Sequence, residues 1–157
     1  MAAIPPSFLK HPVVFFATGF GSGLSPKAPG TVGTLVSLLL FLFLQDTTWP
    51  LLFVCVVGFA IGIWFCDVTT EKLGVHDHGG IVWDEFIGLW ITMLWVPLTA
   101  VNLLLAFILF RAFDILKPWP IAYLDKRVGG GFGIMIDDVL AGIFANIILQ
   151  IGIIYLF

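Results

Sequence analysis

Two pairs of adjacent carboxylates, Asp84 and Glu85 in WDEFIGLW and Asp137 and Asp138 in GIMIDDVLAG, sit in stretches that otherwise read as apolar helix. Each pair begins a small and polar stripe at four-residue spacing: Asp84, Gly88 and Thr92 in one helix, Asp138, Gly142 and Asn146 in the other. Small residues at this spacing let helix backbones approach closely, which would bring the two pairs together. Four carboxylates converging in a low-dielectric setting repel one another, so they must be protonated, paired with bases or bound to cations. Oxygen ligands without an accompanying Cys or His pattern favour Mg²⁺, with Mn²⁺ as the alternative, over zinc. The plainer account is that these acids sit at helix N-termini, where negative charge is favourable by about 0.3 to 1 kcal/mol. One acid per helix would meet that need, and each helix here carries a doublet.

Arg111, Asp114 and Lys117 recur every three residues and so share a helix face. A guanidinium and an ammonium flanking an acid could hold a phosphate while Asp114 faces the metal or orients Arg111. The plainer account is a basic helix end snorkelling to the membrane surface. Upstream, GFGSGLSPKAPGTVGT has no G-x-x-x-x-G-K-[ST] arrangement and is not a nucleotide P-loop. It does supply backbone N–H groups, Lys27, and Thr31 or Thr34 at a helix start, which together suit an anion. The segment DVTTEKLGVHDHGG reads as a loop that adds Asp67, His76, Asp77 and His78. Neighbouring loop residues often just face solvent, so no role is assigned to His76 or His78.

These residues need a scaffold, and the composition says which kind. The chain has 157 residues, 60% of them hydrophobic and 11% charged, against about 25% charged in soluble domains. That predicts an integral membrane protein, all-α, with residues 1–157 forming one domain. The net charge of −3 is small and scattered, which argues against a nucleic-acid partner. Cys55 and Cys66 have no C-x-x-C or metal-like spacing and read as packing residues. Ser7 to Phe20 is expected to form an interfacial helix, lacking an A-x-A-like cleavage site.

Apolar segments run from Thr31 to Leu44 and from Pro50 to Cys66, separated by the polar turn QDTTW, and a last one covers Ile134 to Phe157. Between them, Ile81 to Leu116 either crosses once or turns back near Pro97. A hairpin puts all seven bases (Lys10, Lys27, Lys72, Arg111, Lys117, Lys126 and Arg127) on one side, as the positive-inside tendency demands. Its arms, Ile81 to Val96 and Thr99 to Leu116, would be about 24 and 27 Å long, slightly short for a core of about 30 Å. The expectation is a bundle of about five spans with a cytoplasmic N-terminus. In that topology every acid except Asp46 falls at the cytoplasmic face, and the two doublets lie about one turn inside it.

In chain order, SPKAPGTVGT, HDHGGIVWDEFIGLW, FRAFDILKPWPI and GIMIDDVLAG resemble the motifs of the phosphatidylglycerophosphatase A family. The resemblance runs from Gly19 to Gly142. It implies a multi-pass bacterial inner-membrane enzyme of phospholipid biosynthesis that uses Mg²⁺ to convert phosphatidylglycerophosphate to phosphatidylglycerol and phosphate. A lipid phosphomonoester carries its phosphate at the membrane interface, the depth at which the carboxylates are expected.

The expected mechanism has Asp84, Glu85, Asp137 and Asp138 holding the metal, with a water activated for in-line attack. Arg111, Lys117, Lys27 and Thr31 would bind the phosphate, and Asp114 would support Arg111. An aspartyl nucleophile is the covalent alternative. The rival class is a small transporter or ion channel, which would call for acids near the bilayer midplane and not at one face.

Overall fold

The computed structural model describes residues 4–44, 48–75 and 77–156; Asp46 and most of the QDTTW turn, like His76, lie outside them. The described residues form helices and turns and no strand. The helices are α1 (Pro12–Ala17), α2 (Pro29–Phe41), α3 (Thr48–Leu73), α4 (Trp83–Thr92), α5 (Ala100–Leu116), α6 (Ile121–Arg127) and α7 (Gly130–Leu156). Two of them, α3 and α7, are long and apolar enough to cross a membrane. Large apolar side chains on the bundle's outside, among them Phe53, Trp64, Leu104, Ile108, Ile147 and Ile151, are exposed. A soluble monomer rarely leaves so much apolar surface open, whereas lipid tolerates it.

The boundaries depart from the sequence expectation at five places, one of them the arm expected over Ile81 to Val96, which is helical only over Trp83–Thr92. The stretch Ser7 to Phe20 is not one helix: a 3-10 turn over Pro6–Lys10 stops at His11, and α1 restarts at Pro12. Proline forces the residue before it out of helical backbone. α1 then packs into the bundle, burying Val14 and Ala17, and the Ala17 carbonyl accepts from the Val82 N–H at 2.9 Å. Helix α3 runs through DVTTEKL, which is therefore not a loop, and stops only at Gly74, whose φ of +65° suits a helix end. Helix α6 has no counterpart in the apolar pattern. Helix α7 starts at Gly130 instead of near Ile134, so the Asp137 and Asp138 doublet lies two turns into it instead of one.

Glycines explain that early start. A Cβ at Gly131 would stand 2.1 Å from the Ile63 carbonyl oxygen, so only glycine lets α7 begin this close to α3. The Asp67 carboxylate accepts from the Gly131 N–H and satisfies one of the donors left open at a helix start.

The pairwise contacts fix the helix directions. Gly33 and Ser37 of α2 meet Val82, just before α4, and Phe86 of α4, while Gly88 and Thr92 of α4 meet Asp138 and Gly142 of α7. Both pairs therefore run parallel. Lys117, just past α5, and Phe113 of α5 meet Asp137 and Phe144 of α7, and Gly62 and Asp67 of α3 meet Met135 and Gly131. Those pairs run antiparallel. The starts of α2, α4 and α7 and the ends of α3 and α5 thus share one end of the bundle.

At the centre, α4 is 10 residues long and buries all but Trp83 and Ile91. Its seam with α7 follows the small and polar stripes seen in the sequence. The Thr92 hydroxyl donates to the Gly88 carbonyl at 2.9 Å and to the Gly142 carbonyl at 3.3 Å. The Asn146 amide donates to the Thr92 and Leu94 carbonyls at 2.8 Å each, satisfying acceptors that α4 leaves open by ending early. After α4 the chain reverses through Pro97, and the Thr99 hydroxyl caps α5 by accepting from the Asn102 N–H at 3.1 Å. The reversal is the hairpin expected from the basic residues, with Glu85 near its start facing Arg111 near its end.

Candidate active site

At the end of the bundle where α2, α4 and α7 begin, a cavity of about 300 Å³ is walled by Asp77, Asp84, Glu85, Asp114, Asp137, Asp138, Arg111 and Lys117, with Ala28, Pro29, Gly30, Gly79, Ile81 and Ile115. Asp84 and Glu85 occupy the first turn of α4. The Glu85 N–H donates to Asp84 Oδ1 at 3.0 Å, and the Asp138 N–H donates to Asp137 Oδ1 at 3.1 Å. All four side chains are buried.

The bases cross from α5. Arg111 Nη1 donates to Glu85 Oε1 at 3.0 Å, to Asp114 Oδ2, and weakly to Thr34 Oγ1 at 3.5 Å. Asp114 therefore orients Arg111. Lys117 sits just past α5 in left-handed backbone and is followed by Pro118, a common way to end a helix. Its ammonium donates at 2.6 Å both to Asp137 Oδ2 and to Asp125 Oδ1 of α6. Partial burial disfavours the charge on Lys117, but the hydrogen bonds it donates to Asp125 and Asp137 outweigh it and raise its pKa, so the side chain stays cationic.

Six carboxylates face one guanidinium and one ammonium across this cavity. Buried charge of one sign needs a counter-ion or protons. Two carboxylate oxygens, Glu85 Oε2 and Asp138 Oδ2, are buried with no hydrogen-bond partner, as is Arg111 Nε. Orphaned acceptors in a surplus of negative charge fit a hard cation. Among the described residues no three His, Cys, Asp or Glu side chains gather into a ready-made cage. The two orphaned oxygens, Glu85 Oε2 and Asp138 Oδ2, are of the kind that fits Mg²⁺, which commonly rests on one or two carboxylates and completes its shell with water and phosphate oxygens.

The glycine and proline segment contributes in a way the sequence reading missed. Lys27 is exposed, and neither Lys27 nor Thr31 reaches the cavity wall. Its glycines matter instead. A Cβ at Gly30 would stand 2.1 Å from Glu85 Oε1 and 3.1 Å from Arg111 Nη2, and one at Gly33 would stand 2.8 Å from Glu85 Oε2. The first turn of α2 thus lies directly on the Glu85 and Arg111 pair. Three-residue spacing of glycines at a helix start was the available signal.

Three non-glycine residues of the cavity wall, Ala28, Asp77 and Lys117, have φ of 46°, 48° and 41°. Left-handed backbone at such residues costs on the order of 1 kcal/mol each and concentrates at functional sites. Asp77 joins the wall, whereas the His78 ring turns back into its own loop, where Nδ1 accepts from the Gly80 N–H at 3.0 Å. Asp67 caps α7 and does not line the cavity. Asp125, the second partner of Lys117, lies outside every motif noted in the sequence.

The sequence model of the phosphatidylglycerophosphatase A family matches residues 15–153. A phosphatidylglycerophosphatase A of Escherichia coli strain K12 is 46% identical, the match covering 92% of this chain and 86% of that protein. One from Haemophilus influenzae is 48% identical, over 90% of this chain and 88% of its own length. A Bacteroides thetaiotaomicron protein with the provisional name of phosphatidylinositol-3-phosphatase is 38% identical over 94% of this chain and 95% of its own. No solved structure matches. With the match spanning all four motif regions and every helix but the edges of the bundle, the chain belongs to the phosphatidylglycerophosphatase A family of lipid phosphatases.

Proposed function

We propose that this protein hydrolyses phosphatidylglycerophosphate to phosphatidylglycerol and inorganic phosphate, with Mg²⁺ required, at the cytoplasmic face of a bacterial inner membrane. The observation that carries the reading is the pairing, across one small cavity, of the Asp84, Glu85, Asp137 and Asp138 carboxylates with Arg111 and Lys117. Family membership supports the substrate.

Glu85 and Asp138, with their orphaned oxygens, would carry the cation, helped by Asp84 and Asp137. Bound there, Mg²⁺ would supply charge neutralisation and water activation. The protein's own groups do the rest. Arg111 and Lys117 place two fixed positive charges toward the phosphoryl oxygens and hold them as the bond to the glycerol oxygen breaks. Asp114 and Thr34 keep the guanidinium in register. Burial of these groups excludes bulk water and strengthens each electrostatic contact.

The alternating helix directions support a five-span arrangement, with α2, α4 and α7 running one way and α3 and α5 the other. Helices α2 and α4 are about 20 and 15 Å long, short of the hydrocarbon core, but α4 is buried and its irregular continuation through Leu94 is hydrogen-bonded by Asn146 and Gln150. Non-helical backbone is tolerated at membrane depth when protein covers it. All seven basic residues then fall at the cavity end, which the positive-inside tendency assigns to the cytoplasm. The acids cluster at that end too, which disfavours a transport pathway through the midplane.

The test is phosphate release by the purified protein from a panel of lipid phosphates, with and without Mg²⁺. Release from phosphatidylglycerophosphate above phosphatidic acid, and dependent on Mg²⁺, is the expected result. Ion flux in liposomes without phosphate release would favour the transporter class.

A further inference from the structure

We propose that the lipid enters the cavity sideways, between α2 and α5, and that Ile115 is the threshold on which its acyl-chain end rests while the phosphate lies inside. This inference rests on the lipid phosphatase reading of the site. Ile115 lines the same polar cavity as Arg111 and Asp114, yet it is 66% exposed while their side chains are 14% and 15% exposed. A residue that touches the cavity and the outside at once marks its mouth. The mouth is apolar, and it continues down α5 along Ile108 and Leu104, which are also exposed and lie at helical spacing on the same side. Pro29 at the start of α2 is also part of the cavity wall.

The chemistry of the substrate fits such a doorway. A diacyl phosphate ester cannot bring its tails into a cavity of about 300 Å³ lined by carboxylates. The tails must stay in an apolar phase while the headgroup turns inward. A second apolar groove, of about 340 Å³ between α3, α4 and α7, is lined by Leu52, Phe59 and Ile143 among others, and none of its residues reaches the polar cavity. It cannot hand a phosphate to Arg111, so the route past Ile115 is favoured.

The experiment compares Ile115→Asn and Ile115→Leu with the unchanged protein, on a long-chain phosphatidylglycerophosphate and on its dihexanoyl counterpart, with Mg²⁺ present. Ile115→Asn should lower kcat/KM on the long-chain lipid about tenfold, the scale of one or two methylene groups losing apolar contact, and lower it less on the short-chain one, whose tails follow the α5 face over a shorter distance. Ile115→Leu should behave as the unchanged protein does. Equal losses on both lipids, or no loss on either, would overturn the proposal. Should Ile115→Asn fail to fold, the unchanged protein is irradiated with a lipid phosphate bearing a diazirine in its acyl chain. Labelling at Ile115 or Leu116 supports the proposal, and labelling confined to Leu52, Phe59 and Ile143 overturns it. An unchanged protein inactive on both lipids would instead refute the phosphatase reading, and the labelling pattern would still decide the route.

Discussion

Gly142 of α7 lies so close to Gly88 of α4 that a Cβ at position 142 would stand 2.4 Å from the Gly88 carbonyl oxygen. That contact sets the register between the two helices, and one turn before it on each helix stand Asp138 and Asp84. The acidic cavity is therefore a product of helix packing by two glycines.

Gly142→Leu should push the helices apart and cost stability by about 1 to 3 kcal/mol or more, as overpacking does. Gly152→Ala, on the same helix with nothing within 4 Å of the added Cβ, should be neutral or slightly stabilising through helix propensity. Thermal unfolding in detergent checks both. Equal melting temperatures for the two variants would refute the close-packed seam.

Gly30→Ala tests the contact between α2 and the site. The added Cβ would meet Glu85 Oε1 at 2.1 Å, so Glu85 or the α2 start must shift and the Glu85 to Arg111 pairing loosens. Activity should fall by about 10²-fold, the scale of a misplaced catalytic group, while the far end of the bundle stays folded. Turnover and hydrogen exchange measured together distinguish this from global unfolding.

Asp138→Asn keeps the size of the side chain and removes its charge. Phosphate release should drop by at least about 10²-fold, with insertion and melting temperature retained. Near-normal turnover would remove Asp138 from the cation site.

Arg111→Lys keeps a positive charge but loses the planar guanidinium, whose Nη1 meets both Glu85 and Asp114. It should retain more activity than Arg111→Gln, and both should fall below the unchanged protein, Arg111→Gln by about 10²- to 10³-fold. A kcat that falls with KM little changed would place the guanidinium's contribution in the transition state.

Much of the site was legible because it obeys helical periodicity. The four-residue stripes from Asp84 and Asp138 became the α4 and α7 seam, and the three-residue spacing of Arg111, Asp114 and Lys117 became one wall of the cavity. The rest depends on contacts distant in sequence. The early start of α7 depends on Asp67 of α3 accepting from the Gly131 N–H and on the absence of a Cβ at Gly131 beside the Ile63 carbonyl, and glycines alone argue against a helix. Lys27 and Thr31 were plausible phosphate ligands by residue type, but α2 presents Gly30 and Thr34 to Arg111 instead. Asp125 became a partner of Lys117 only because α6 folds back over the end of α5. Extra helix past Cys66 was hidden because Asp67, Glu71 and Lys72 look like a loop by polarity, although nothing breaks the helix before Gly74.

The carboxylate cavity is proposed as a cation-dependent phosphatase centre for lipids. The most direct measurement is phosphate release from phosphatidylglycerophosphate by the purified protein after chelation, followed by stepwise return of Mg²⁺, with Asp138→Asn in parallel. Release should vanish on chelation, return with Mg²⁺ and fail to return in the variant. Release that persists through chelation, or an Asp138→Asn protein that recovers with Mg²⁺ as the unchanged protein does, would contradict that proposal.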